Sequence, residues 1–244
     1  MKRLRNVQQA QANFWASGLL QLGEKLGPIL WQLPPNFQFD KDVMERFLSE
    51  LPRTTSEAAS LARYHSAFMK DRSWLEVKVN RSLRHAIEVR HESFLTEAFV
   101  KLLRRQKIAL VIADTAKRWP YMEDMTTDFV YARLHGETEL YSSGYDDESL
   151  DRWARRFKRW RQGSEPKDAR RHAPRARVLS GRDLYVYFDN DVKVHAPFNA
   201  MDLARRIGVS RDYEQLKKDL VFTGRAKRQS ESRRSPWPNA RKAS

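Results

Sequence analysis

Short, nearly continuous apolar runs alternate along the chain with longer stretches in which apolar residues recur at helical spacing. Five runs have the length and composition of buried β-strands, namely ILWQLPP, HAIEVRH, IALVIAD, FVYARLHG and DLYVYFDN. Stretches with one apolar face, such as LDRWARRFKRW, lie between them and predict amphipathic helices. Because connections of this kind join parallel strands, the pattern predicts an α/β fold with about five parallel strands and covering helices. A doubly wound sheet and a barrel both satisfy it.

The helix boundaries are predicted from periodicity and from capping residues. We expect a first helix from about residue 6 to Lys25, and a helix that begins after Asp40 as its N-cap. A less regular helix is expected at about 56–68. Ser93 is expected to cap the helix that follows HAIEVRH, and a short helix is expected at about 211–221.

Polar side chains are concentrated on one face of each predicted strand, near its carboxyl end. In FVYARLHG, side-chain alternation separates the aliphatic residues from Tyr131, Arg133 and His135. An unpaired buried charge costs several kcal/mol, so these groups must meet each other, a ligand or water. We therefore expect a shared site at the carboxyl ends of the strands. Its predicted ligand-binding residues are Gln32, Arg90, Arg133, Tyr187 and Asn190, and its predicted catalytic residues are His135, Glu88 and Asp189.

Two interpretations of this set remain open. In the first, Arg90 and Arg133 hold a small anionic or polar ligand, because a guanidinium matches a carboxylate or phosphate with paired hydrogen bonds. His135 would then transfer a proton, with Glu88 or Asp189 as its partner. In the second, the two acids and the two arginines form an ion network that is purely structural.

No motif indicates a cofactor, and no metal is assigned. A divalent-metal alternative would use Glu88, His91, Asp114, His135 and Asp189, but the spacing is not that of a metal motif and the nearby arginines would repel a cation. The sequences GxGxxG, GxxxxGK and GxSxG are absent, which disfavours a classical dinucleotide site, a P-loop and a serine-hydrolase elbow.

Composition limits the class of protein. The 244 residues include no cysteine, which excludes disulfides and thiolate chemistry, and the basic N-terminus is not followed by the apolar run of a signal peptide. No apolar segment approaches the length of a membrane span. We therefore expect a soluble, cytoplasmic protein.

The net charge of +15 is confined to two parts of the sequence. Residues 151–177 hold 11 Lys/Arg and 3 Asp/Glu, a net +8, and residues 225–244 hold 7 Lys/Arg and one Glu, a net +6. We expect a solvated basic surface and a disordered tail, with weak binding of nucleic acid or another polyanion as the alternative. Trp153 and Trp160 share a helical stripe with apolar residues, which predicts core positions rather than base-stacking platforms.

Eight segments follow one another along the chain: KRLRN, LGEKLGPILWQLPPNF, EVRHESF, ALVIADT, FVYARLHG, LYSSGYDDESLDRWA, YVYFDND and APFNA. In this order they resemble the YecE-like family, also known as domain of unknown function 72, and the match runs from about residue 2 to residue 207. The resemblance implies a TIM-barrel-like fold. It implies no reaction, because the activity of the family is not established.

The resemblance also implies an incomplete barrel. Family members have about three strand–helix units before the segment that resembles KRLRN, and five strands cannot close an eight-stranded barrel. We expect a partial barrel domain at 1–224 with a basic insertion at 162–180, followed by a disordered basic tail at 225–244. We favour a truncated chain; completion by oligomerisation or by a partner is the alternative.

Overall fold

Five parallel β-strands form a curled half-barrel in which the strands lie in chain order. The computed structural model describes residues 4–192 and 194–209. The strands are β1 (Ile29–Gln32), β2 (His85–Glu88), β3 (Ala109–Asp114), β4 (Phe129–Leu134) and β5 (Asp183–Phe188). Their register aligns Gln32 with Glu88 and Arg133 with Tyr187, so the polar ends of neighbouring strands are side by side. The predicted TIM-barrel-like, incomplete α/β fold is confirmed.

Helices cover the outer face of this sheet. They are α1 (Gln8–Ala16), α2 (Lys41–Ser49), α3 (Thr55–Ala62), α4 (Glu97–Gln106), α5 (Asp147–Arg161) and α6 (His195–Ile207). Short 3₁₀ helices cover Leu19–Lys25, Ala67–Arg72 and Glu92–Phe94. β3 and β4 are joined by an irregular connection, residues 115–128.

The aliphatic face of each strand packs under the helices. Ile87 of β2 and Leu110 of β3 are buried against α2 and α4. Ile112 of β3 and Val130 of β4 are buried with the apolar stripe of α5, which includes Trp153 and Trp160. Both tryptophans are therefore core residues, as predicted, and the side-chain alternation read from the strands is confirmed.

The inner face of the half-barrel has a different composition. Small and aromatic residues occupy its middle, including Ala86, Val111, Phe129 and Tyr131, all of them buried. Polar and charged side chains follow them towards the carboxyl ends of the strands. The inner face thus ends in a polar opening, which we call the mouth.

Three helix predictions need correction. The expected first helix is divided, because Gly18 adopts a left-handed backbone (φ 92°) after α1. α3 ends at Ala62 and does not reach residue 68. The N-cap of α4 is Thr96, whose hydroxyl accepts from the N–H of Phe99, whereas the Ser93 hydroxyl accepts from the N–H of Phe39. The predicted cap of α2, Asp40, is confirmed, and Asp146 is the N-cap of α5.

The basic segment at 162–180 has no helix or strand and is attached to the core by carboxylates. Buried Glu123 accepts from the N–H of Arg170, and buried Asp124 accepts from the N–H groups of His172 and Ala173. The predicted helix at 211–221 and the predicted disordered tail at 225–244 lie outside the described residues. Over the described part of the chain, no helix is long and apolar enough to cross a membrane.

Candidate functional site

Five polar side chains from four parts of the sheet meet at the mouth. Gln32 ends β1 and Glu88 ends β2, whereas Arg133 is the penultimate residue of β4. Arg90 lies two residues beyond β2, and Asp189 directly follows β5. Because parallel strands end at one edge of the sheet, residues that are far apart in sequence come together here. We call Gln32, Glu88, Arg90, Arg133 and Asp189 the mouth network.

Glu88 is at the centre of this network and is fully buried. Its Oε1 accepts from Nε of Arg90 at 2.7 Å, and its Oε2 accepts from Nη1 of Arg133 at 2.5 Å. The amide oxygen of Gln32 accepts from both arginines, at 2.8 Å from Arg90 and 2.9 Å from Arg133. The two charged donors offset the cost of burying the Glu88 carboxylate, which explains how β2 can hold an acid at a buried position.

Arg133 connects the two acids. Its Nη2 donates to Oδ2 of Asp189, while its Nη1 donates to Glu88. Burial opposes the charge of Arg133, but the hydrogen bonds and charges of Glu88 and Asp189 outweigh burial and raise its pKa. The formal charges of the two acids and the two arginines cancel. The predicted convergence of these four groups is therefore found, in the arrangement that a structural ion network also requires.

Trp119 forms a wall of the mouth that the sequence did not single out. The guanidinium carbon of Arg90 lies 3.7 Å from the centre of the Trp119 ring, a cation–π contact. Thr115 orients this part of the β3–β4 connection, because its hydroxyl accepts from the N–H of Trp119. The only signal was the run RWPYMED, with two aromatic residues, after a strand end, which is too common a pattern to identify a site.

His135 is buried at the edge of the mouth network, one residue after β4. Its ring contacts the rings of Trp119 and Tyr141, with centroids 6.4 and 5.3 Å away. Its Nδ1 lies 3.4 Å from Oδ2 of Asp189, yet neither ring nitrogen has a hydrogen-bond partner among the described residues. Burial, together with the charge of Arg133, lowers the pKa of His135, so the imidazole is neutral at neutral pH.

The other predicted residues lie at different distances from this centre. Tyr187 is 43% exposed and stacks on Tyr131, with ring centroids 5.0 Å apart, on the inner face. Asn190 is buried, and its amide nitrogen donates to the carbonyl of Ser143 and to Oδ1 of Asn199. The structure thus brings six of the eight predicted residues together, places Tyr187 beside them, and places Asn190 in a separate hydrogen-bonded cluster.

The five residues of the metal alternative do not all converge, because His91 and Asp114 lie apart from the mouth network. Nδ1 of His91 accepts from the N–H of Ser93 at a 3₁₀ turn. Asp114 shares the outer face of β3 with Ile112 and accepts from the hydroxyl of Tyr145 at 3.1 Å. Burial is the main cause of the raised pKa of Asp114. Among the described residues, no three His, Asp or Glu side chains are grouped so that they could hold a metal ion.

Comparison with known proteins identifies the family and the fold. The family model described as "Protein of unknown function DUF72" matches residues 1–220. No curated protein matches. A DUF72 family protein from Thermotoga maritima is similar in structure, with a TM-score of 0.56 and 20% identity, over 84% of this chain and 66% of that one.

Two structures of a DUF72 family protein from Enterococcus faecalis are also similar. One has a TM-score of 0.52 and 19% identity, over 79% of this chain and 62% of that one. The other has a TM-score of 0.51 and 17% identity, over 78% and 64%. At these identities the likeness shows the fold alone. The chain thus spans about two thirds of the length of these structures, and the expected truncation stays a prediction.

Proposed function

The chain belongs to the DUF72 family, and we propose that it binds a small polar or anionic ligand at the mouth, with His135 as the proton-transfer group. One observation carries this proposal. His135 is fully buried beside charged groups, and neither of its ring nitrogens has a hydrogen-bond partner among the described residues. Buried polar groups are nearly always hydrogen-bonded, so an exception requires an explanation. A ligand that reaches the imidazole would supply the partner.

Arg133 is the residue that we assign to the ligand anion. Its contact with Asp189 is the more exposed of its two ion pairs, because the Asp189 side chain is 29% exposed and that of Glu88 is fully buried. A carboxylate or phosphate from solution would take the place of Asp189 on the guanidinium. Glu88 and Gln32 would keep Arg133 in position during this exchange, so Glu88 is a positioning residue in this proposal.

The lowered pKa of His135 suits the accepting role in proton transfer. A neutral imidazole accepts a proton from the ligand, and the imidazolium that forms would be stabilised by the Asp189 carboxylate, 3.4 Å from Nδ1. The Tyr131–Tyr187 pair would form an aromatic wall for the ligand. We assign Asn190 the role of holding the loop at Ser143, rather than a contact with the ligand.

Titration of the full-length protein with small anions tests the assignment. The probes are acetate, succinate, inorganic phosphate and glycerol phosphate, with heat of binding as one signal and the ring nitrogens of His135, followed by NMR, as the other. We expect saturable binding of at least one probe, accompanied by a change in the His135 signals. Arg133→Ala should weaken that binding about tenfold or more, because it removes a charged hydrogen bond.

Arg84→Ala is the matched control. Arg84 also pairs with an acid of β5, Asp183 at 2.6 Å, but at the opposite, amino-terminal edge of the sheet. This variant should bind the probe like the parent protein. Equal affinity of the Arg133→Ala variant and the parent, or no saturable binding of any of the four anions, would contradict the proposal.

The alternative of nucleic-acid or polyanion binding through 151–177 and the tail also stays a prediction. Several arginines of the described segment are already paired, which reduces its effective charge. Arg156 contacts Glu123 and Asp168, and Arg171 contacts Glu165. We therefore favour the mouth. A cytoplasmic location stays a prediction, with which the absence of cysteine is compatible.

A further inference from the structure

A concave site lies beside the mouth and shares Trp119 with it. It is a cavity of about 1000 Å³ between the β3–β4 connection, the first turns of α5 and residues 169–172. Trp119, Tyr121 and Trp153 supply its aromatic surface. We call this cavity the basic groove. Its volume is at the upper end of the range of about 300–1000 Å³ that is typical of small-molecule sites.

The lining of the basic groove has more cations than carboxylates. Five basic residues line the cavity, namely Lys117, Arg152, Arg156, Arg170 and Arg171. Three acidic residues also line it, namely Asp114, Glu123 and Glu137. The groove is therefore positive before the partners of each group are considered.

The three acids are already engaged. Glu123 contacts Nη1 of Arg156 at 2.9 Å and accepts from the N–H of Arg170 at 2.8 Å. Glu137 accepts from the hydroxyl of Ser149 and lies 3.4 Å from Arg152. Asp114 accepts from the hydroxyl of Tyr145. The three carboxylates consequently compensate positive charge in the inner part of the groove and none at its rim.

Two cations of the groove remain without a carboxylate partner among the described residues. They are Lys117 and Arg170, and both are exposed. The Arg170 guanidinium lies over the Tyr121 ring, with its carbon 5.7 Å from the ring centre. Tyr121 in turn contacts the Trp153 ring. The rim thus combines two uncompensated positive charges with an aromatic surface that leads into the cavity.

We propose that the basic groove binds a small phosphate monoester that carries a ring. A phosphate dianion has the charge to compensate Lys117 and Arg170 together, and its oxygens accept several hydrogen bonds from such donors. The ring of the ligand would pack on the aromatic surface. This site is distinct from the mouth, because its cations belong to the β3–β4 connection and the 169–172 segment and not to the mouth network.

A nucleic-acid strand carries the same phosphate chemistry, but it fits this groove less well. A strand needs a continuous positive track. The first turn of α5 presents the exposed acids Asp147 and Glu148, and the segment after α5 presents exposed Asp168. These acids interrupt the positive surface on either side of the groove, which favours a ligand that is enclosed by it.

Calorimetric titration of the full-length protein with phenyl phosphate, inorganic phosphate and a ten-nucleotide single-stranded DNA tests the inference. We expect the basic groove to bind phenyl phosphate more tightly than inorganic phosphate, because only phenyl phosphate carries a ring. The double variant Lys117→Ala/Arg170→Ala should bind phenyl phosphate about tenfold or more weakly, because charged contacts to the phosphate are lost. Both residues are exposed, so the fold should be retained.

The double variant Arg155→Ala/Lys158→Ala is the matched control. It removes the same charge from exposed positions of α5 that do not line the groove, and it should leave phenyl phosphate affinity unchanged. Arg133→Ala should also leave it unchanged, which separates this site from the mouth. The inference is overturned by equal losses in the two double variants, by absence of phenyl phosphate binding, or by tighter binding of the oligonucleotide than of phenyl phosphate.

Discussion

Removal of the Glu88 carboxylate measures how strongly the mouth network stabilises the fold. Glu88→Ala leaves Arg90 and Arg133 without their shared acid, in a place where their side chains are only 11% and 17% exposed. Loss of one partner of a buried ion pair costs about 3–5 kcal/mol. Arg133 retains its contact with Asp189, so we expect the lower end, a decrease of about 3 kcal/mol in the free energy of unfolding.

The surface pair of Arg105 and Glu45 provides the matched comparison. Its N–O distance is 2.6 Å, close to the 2.5 Å between Arg133 and Glu88, but its side chains are 55% and 42% exposed. Exposed pairs contribute about 0–1 kcal/mol, since water replaces the lost partner. Glu45→Ala should therefore cost less than about 1 kcal/mol. The two sites differ in burial and in the number of arginines paired with the acid, and hardly at all in the shortest N–O distance.

Equilibrium urea denaturation of the two variants and the parent protein is the assay, with the free energy of unfolding taken from the linear extrapolation. The double variant Glu88→Ala/Arg133→Ala completes a mutant cycle, and its cost should be smaller than the sum of the single costs, because the residues are in direct contact. A Glu88→Ala cost equal to that of Glu45→Ala would refute the reasoning. It would mean that water reaches the two arginines freely.

Two further predictions concern a buried histidine and a helix end. Burial lowers the pKa of His85 to about 4, and its Nδ1 accepts from the Trp31 indole, which leaves Nε2 to donate to the carbonyl of Pro52. Between about pH 6.5 and pH 4, His85 is therefore protonated in the unfolded chain and neutral in the folded chain. As the pH is lowered through this range, the free energy of unfolding should decrease by about 3 kcal/mol in total. Unfolding measured across this range should show the slope, and His85→Gln should reduce it; an unchanged slope in the variant would contradict the assignment. Gly163 and Gly208 both have a left-handed backbone, with φ of 78° and 73°. A Cβ at Gly163 would lie 1.8 Å from the carbonyl oxygen of Leu179, whereas a Cβ at Gly208 would meet no described atom within 4 Å. Gly208→Ala should cost about 1 kcal/mol and Gly163→Ala at least about 2 kcal/mol more, as thermal or urea unfolding would report; similar costs would mean that the Leu179 carbonyl can move aside.

The strands and their faces were predictable because side-chain alternation is a local property. Ile87 and Val89 face outward, and Tyr185 contacts the inner-face cluster, as the two-residue period requires. The convergence of Glu88, Arg133 and Asp189 followed from the parallel arrangement. The α4 cap was not predictable from local signals, since Ser93 and Thr96 are both good N-caps and only a tertiary contact, from Ser93 to the N–H of Phe39, distinguishes them.

The contacts of individual polar groups depended on tertiary structure. Asn190 follows the same strand as Asp189, yet it is hydrogen-bonded to Asn199 and Ser143, because successive side chains leave a strand end in different directions. The hydrogen bonds by which Glu123 and Asp124 hold the basic segment were also not predictable from the sequence. These acids lie about 47 residues before the N–H groups that they accept from, and no local period connects such positions.

The partition of roles within the mouth network follows from burial. Glu88 is fully buried and paired with two arginines, so its removal would leave Arg90 without its acid partner and Arg133 with Asp189 alone. Asp189 is partly exposed and can be rehydrated when it leaves Arg133, so its exchange for another anion costs less. A network that were only structural would gain nothing from the neutral imidazole of His135, which has no hydrogen-bond partner among the described residues. We therefore propose that Glu88 holds a fixed half of the mouth, and that Asp189, 3.4 Å from Nδ1 of His135, is the acid that a ligand would replace.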